Sequence, residues 1–137
     1  MTIYIQTNQV VFIPDGVYNV NSNDSGKLMI SGPLTANQLI NLPPVAAGLH
    51  YRFIETLTTA FTSTLRPRNA AGGVANTLVQ GLLINAAAAG GVSGVPKTNA
   101  DTVTFLIPSV LGDFIDCYSD GTYWHVHGVS SVIGGLA

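Results

Sequence analysis

The chain has 137 residues, enough for one hydrophobic core and too few for two ordinary domains. Hydrophobic residues make up 47% of it and charged residues 9%, against a charged share of roughly 25% in soluble domains, so burial of surface against other subunits is expected. A net charge of −2 with five basic residues offers no patch able to neutralise a phosphate backbone, which argues against nucleic-acid binding.

Residues 3–13 are β-branched and aromatic enough for a strand or two, closed by the turn signal Pro14-Asp15-Gly16. Val17, Tyr18 and Val20 predict a short strand whose end overlaps a polar loop over residues 19–25. Lys27-Leu28-Met29-Ile30 reads as the next strand, ended by Ser31-Gly32-Pro33. Residues 34–42 fit a helical turn, because Leu34, Ala36, Leu39 and Ile40 nearly follow a three-to-four period, and Pro43-Pro44 stops it. Over residues 49–56, Leu49, Tyr51 and Phe53 alternate with His50, Arg52 and Ile54, the pattern of a half-buried strand. A Thr-rich strand is expected over residues 58–65.

No residue between Arg68 and Lys97 is charged. Residues 70–97 are expected to form an Ala/Gly-rich loop or an assembly arm, although Val74, Leu78, Val79, Leu82, Leu83 and Ile84 could build a strand. A short helix over residues 85–89 is weakened by the flanking glycines. Gln80, Asn85 and several glycines break the tract 78–95, so it is too interrupted for a membrane span of about 20 apolar residues. Residues 102–107 return to strand alternation, ending at Pro108. The clearest segment is 112–127, two strands joined by Asp120-Gly121, with Ile115, Cys117, Trp124 and Val126 facing the core. Beyond Asp120 only the histidines can carry charge, so the small apolar tail 128–137 is expected to meet a neighbouring subunit.

About eight or nine short strands between Pro and Gly turns, with no long amphipathic helix, predict an all-β single domain: an antiparallel β-sandwich or a jelly-roll-like barrel. No internal repeat is evident. The N-terminus carries no basic segment followed by an apolar run, so no secretory signal is expected. Asn23-Asp24-Ser25 is then only a formal glycosylation acceptor. Cys117, the single cysteine, is read as a buried, inert strand residue.

Three signals in order, Ile40-Asn41-Leu42-Pro43, Gly48-Leu49-His50-Tyr51-Arg52-Phe53-Ile54, and Gly112-Asp113-Phe114-Ile115 with Ser119-Asp120-Gly121-Thr122-Tyr123-Trp124, resemble small all-β structural domains of bacteriophage and large DNA virus virions. The match covers residues 28–128. The resemblance implies a capsid decoration, spike or fibre-associated domain, commonly homotrimeric and without enzyme activity. The chain lacks a long repetitive shaft, which favours a capsid-surface subunit over a stand-alone fibre. The expected location is the virion and the expected partners are copies of the chain and other capsid proteins. An extracellular filament subunit fits the same composition and differs in whether the contacts close or propagate.

Candidate chemistry is sparse. His125 and His127, two apart on a strand, point to one side and could share a transition metal at a three-fold axis, two ligands being too few for a closed site in one chain. The alternative reading gives them a polar face or a subunit contact beside Tyr123. Asp113, Asp116 and Asp120 lack the oxygen-rich spacing of a calcium loop; Asp120 reads as a turn residue and Asp113 as a cap on its own loop. Glu55 and these aspartates have no catalytic partner signalled nearby, no nucleophile motif appears, and no cofactor is expected, so the chain is read as a non-enzyme. A carbohydrate- or receptor-binding module remains the second reading, with Tyr123 and His127 as contacts to a host glycan.

Overall fold

The computed structural model describes residues 10–31, 34–55, 61–107 and 109–137. The start of the first expected strand, residues 3–9, and residues 58–60 of the Thr-rich one lie outside the described residues. The described residues form eleven strands: β1 (Val10–Ile13), β2 (Val17–Asn19), β3 (Leu28–Ser31), β4 (Gln38–Leu42), β5 (His50–Glu55), β6 (Ser63–Pro67), β7 (Val79–Ala86), β8 (Val92–Ala100), β9 (Val103–Phe105), β10 (Phe114–Ser119) and β11 (Trp124–Ser130). They form a seven-stranded sheet in the order β1-β3-β5-β10-β11-β7-β8 and a four-stranded sheet in the order β2-β4-β6-β9. The all-β sandwich is as expected. Its antiparallel character is not, because both sheets are mixed.

The parallel pairs come from the way the chain winds. From β1 to β6 it alternates between the sheets, so that β1, β3 and β5 lie parallel in the large sheet and β2, β4 and β6 parallel in the small one. This is a flattened coil of three turns. Tight corners make it possible: Gly16 takes φ +83 at the first of them, and the Asp15 carboxylate there accepts from the backbone N–H and hydroxyl of Thr35 in the turn below. Beyond the coil, β9 and β10 add antiparallel to β6 and β5, β11 pairs back on β10, and β7 and β8 complete the large sheet.

Between the sheets lies one apolar cluster. Trp124, Tyr51, Phe53, Phe105, Met29, Ile40, Leu42, Leu65, Leu83 and Ile115 are its largest fully buried apolar members. The Tyr51 ring bridges Phe53 and Trp124, with centroids 6.3 and 6.0 Å away, and the Tyr51 hydroxyl donates to the Asn21 carbonyl at 3.0 Å. Side chains of this size each stabilise the fold by about 1.5–3 kcal/mol through burial alone.

Three expectations are corrected. Residues 38–42 are the strand β4, not a helical turn. β4 lies between β2 and β6 and gains pairing on both edges, while Gln38 accepts from Ser31 and Ser63 and Asn41 bonds Asn19 and Arg66. Lateral pairing outweighs a weak helical period. The tract 78–95 is no loop: β7 pairs with β11 and β8 pairs with β7, with a short 3₁₀ turn, Ala88–Gly90, where a helix over 85–89 was expected. Ser119 and Trp124 are joined by four residues instead of a two-residue turn. The end of the tail packs on its own chain, while Ile133 within it is 65% exposed. Leu136 is buried, its N–H and carbonyl both bonded to the Asn85 side chain, and Thr104 and Ala137 exchange backbone hydrogen bonds.

Candidate functional site

The two sheets differ on their solvent sides. Across the small sheet, Asn19, Asn41 and Arg66 share one outward row and Val17, Leu39, Thr64 and Thr104 the other, with the polar neighbours linked by hydrogen bonds. That is the ordinary arrangement of a sheet with one wet face.

On the large sheet, the register aligns Phe12, Ile30, Ile54, Phe114, Val129, Ile84 and Gly94 in one outward row across all seven strands. None of these apolar side chains is buried, and Phe12 is 75% exposed. The adjacent row is Val10, Leu28, Arg52, Asp116, His127, Leu82 and Pro96. Its centre is an ion pair: Arg52 Nε and Nη2 donate to the two Asp116 carboxylate oxygens at 2.7 Å each, and the guanidinium also lies 4.7 Å from the Phe114 ring centroid. Bonding to Asp116 raises the Arg52 pKa further above its ordinary value. The buried Asp116 carboxylate is thereby neutralised.

A third row is polar and aromatic. His50, Tyr118, His125 and Gln80 lie side by side on β5, β10, β11 and β7. The His50 and Tyr118 rings stack with centroids 4.3 Å apart and planes within 3°. His125 Nε2 is 2.6 Å from Asp120 Oδ2, and Gln80 Nε2 donates to Asn99 Oδ1 at 2.6 Å. Asp120 also accepts from the backbone N–H groups of Thr122 and Tyr123. The His125 bond, followed by these two, lowers its pKa to about 2.

The outward face therefore brings His125 and His127 together, as the alternation implies, but separates their surroundings. His125 is held by Asp120, whereas His127 lies against the Phe114 ring at 6.3 Å. Among the described residues no group of three or more His, Cys, Asp or Glu side chains is placed to hold a metal, so a site at these histidines would need ligands from other chains. The three hairpin aspartates are dispersed: Asp116 to Arg52, Asp120 to its turn and His125, and Asp113 to the Val110 N–H and to Ser130 and Ser131. Tyr123 is half-buried in the β10–β11 connection, so it is Tyr118, 47% exposed, that presents an aromatic ring on this face.

Sequence reasoning placed His50, Arg52, Asp116 and Tyr118 on the outward phase of their strands but did not join them, since the order β5-β10-β11-β7 is set by pairings distant in sequence. Trp124 and Val126 are buried as expected, and burial pushes the Cys117 thiol pKa well above its ordinary value. One buried feature had no sequence signal. Glu55 is 2% exposed at the end of β5, its Oε1 has no hydrogen-bond partner, and burial followed by the nearby Asp113 charge raises its pKa to about 7. Comparison of the chain with protein-family models, curated proteins and solved structures returns no match.

Proposed function

We propose that this protein is a non-catalytic structural subunit of a virion surface, a capsid decoration or spike-associated β domain that assembles with copies of itself, as a trimer, and onto other capsid proteins. The observation that carries the reading is the apolar row from Phe12 to Gly94 on the solvent side of the large sheet. An antiparallel or mixed sheet that ends in water alternates apolar and polar, as the small sheet does, and a row left apolar across seven strands fits burial against a partner. The charged content of 9% agrees with this. A copy of the chain is the partner of choice because the row carries no charge that would select another surface. The virion assignment rests on the order of strand and turn motifs described above.

Light scattering coupled to gel filtration tests the assembly. The expected mass is about three times the 14.3 kDa chain, and Ile54→Lys, which places a charge in the middle of the row, is expected to give a folded monomer. A stable wild-type monomer at micromolar concentration overturns the reading. Immunogold labelling of intact particles tests the location.

A further inference from the structure

We propose that the polar and aromatic row of the large sheet, His50, Tyr118, His125 and Gln80, is a shallow binding site for an uncharged oligosaccharide. The inference goes beyond the assembly reading and does not depend on the oligomeric state, because the row occupies different strand positions from the apolar one.

The first argument is the balance of charge. Of the ionic groups on or beside the row, Arg52 is paired with Asp116, the Asp120 carboxylate is hydrogen-bonded to the His125 ring, and Lys97 and Asp101, which flank Asn99, form no ion pair among the described residues. The four residues of the row include no Lys or Arg, and the one arginine beside it is paired, so the row itself offers no free cation to recruit a phosphate, a sulfate or an acidic peptide. The second is the supply of hydrogen-bonding groups. The Tyr118 hydroxyl has no hydrogen-bond partner among the described residues, and the Gln80–Asn99 bond uses only Gln80 Nε2 and Asn99 Oδ1, leaving Gln80 Oε1 to accept and Asn99 Nδ2 to donate. Such alternating donors and acceptors on rigid planar groups suit the vicinal hydroxyls of a pyranose.

The third argument is order. Stacking against His50 holds the Tyr118 ring, and Asp120 holds the His125 ring, so binding costs little side-chain entropy. The row crosses four adjacent strands, which at the usual strand spacing is about 14 Å, the length of a short oligosaccharide. Tyr118 is the central contact, with its exposed ring against the apolar C–H face of a sugar and its hydroxyl at the rim. This moves the receptor contact expected from the sequence away from Tyr123.

The test uses the labelled full-length chain on a printed array of neutral, sialylated and sulfated glycans. The best neutral binder is then titrated against wild type, Tyr118→Ala and His50→Ala. Binding to neutral glycans is expected, with a loss of about tenfold or more in each variant at unchanged melting temperature and oligomer mass. Chemical-shift changes in the His50 and His125 ring signals of the wild-type protein give a readout that no folding defect can imitate. Absence of any neutral binder, binding confined to sialylated or sulfated glycans, or titrations insensitive to both variants with unmoved ring signals would overturn the proposal.

Discussion

Glu55→Gln tests whether a buried carboxylate sets the pH dependence of stability. Glu55 ends β5, where its backbone N–H donates to the Asp113 carbonyl and its carbonyl accepts from Gly112. Four bonds satisfy the Asp113 carboxylate, from the Val110 N–H, the Ser130 hydroxyl, and the Ser131 N–H and hydroxyl. None reaches Glu55 Oε1, which is buried without a partner. Burial and then the Asp113 charge raise the Glu55 pKa from 4.5 to about 7. Because the folded value lies above the unfolded one, the native state holds the proton more tightly. The Glu55 contribution to stability is therefore greatest below about pH 4.5, falls as pH rises to about 7, and is flat above that. The shift corresponds to about 3 kcal/mol between these limits at ~1.36 kcal/mol per pH unit. Gln keeps the shape and removes the charge, but it introduces a buried N–H worth about 1 kcal/mol if unpaired. The variant should then be about 2 kcal/mol more stable than wild type at pH 8 and slightly less stable at pH 5. Urea unfolding at fixed protein concentration from pH 5 to 8 measures this, and subtracting the variant from wild type cancels the histidine contributions. Equal pH slopes for the two proteins would refute the reasoning.

Gly81→Ala should destabilise the fold by about 3 kcal/mol or more, since Gly81 has φ +139 and an added Cβ would lie 2.0 Å from the Val126 carbonyl oxygen; a melting temperature within a degree or two of wild type contradicts that backbone geometry. Arg52→Ala leaves the buried Asp116 carboxylate without its bidentate partner and should cost about 1–3 kcal/mol in urea unfolding, most of it recovered in the Arg52→Ala/Asp116→Ala double variant; equal losses in the single and double variants would argue against the pairing. Cys117 is fully buried with its pKa raised, so a maleimide reagent should leave the native protein unmodified and label it stoichiometrically in denaturant.

The parts of the fold legible in the sequence are those with one wet and one dry face. In β5, Tyr51 and Phe53 point inward against His50 and Arg52, and in β11 Trp124 and Val126 point inward against His125 and His127, so a period of two survives in the residues. Where both neighbours are strands and a polar side chain is satisfied inside, as for Gln38 in β4, and an outward one is buried by its neighbours, as for Asn41, the period is lost. The coil left no repeat because its steps are unequal: Val10 pairs with Leu28 and Leu28 with Arg52, while Val17 pairs with Leu39 and Leu39 with Thr64. β7 and β8 hold alanines and glycines whose strand identity comes from the pairing of β7 with β11 and of β8 with β7, not from side-chain pattern. The candidate faces were hidden for the same reason. Each outward row takes one residue from each strand it crosses, and only the register joins them.

The winding also explains why the apolar and the polar halves of the outer face can serve different partners. In β5, β10 and β11 the rows succeed one another along the strand direction: Ile54, Arg52, His50 in one, and Phe114, Asp116, Tyr118 beside it. The Arg52–Asp116 pair lies between the apolar row and the aromatic one, and its guanidinium covers part of the Phe114 ring. An interface that buried Phe114 and Ile54 would stop at this pair, because removing it from water costs several kcal/mol with no new partner offered. Assembly through the apolar row therefore ends one row short of Tyr118. Ile54→Lys should abolish assembly and leave glycan binding per chain unchanged, whereas Tyr118→Ala should do the reverse. Loss of both properties in either variant would mean that a single surface carries them, and the division of the face would have to be abandoned.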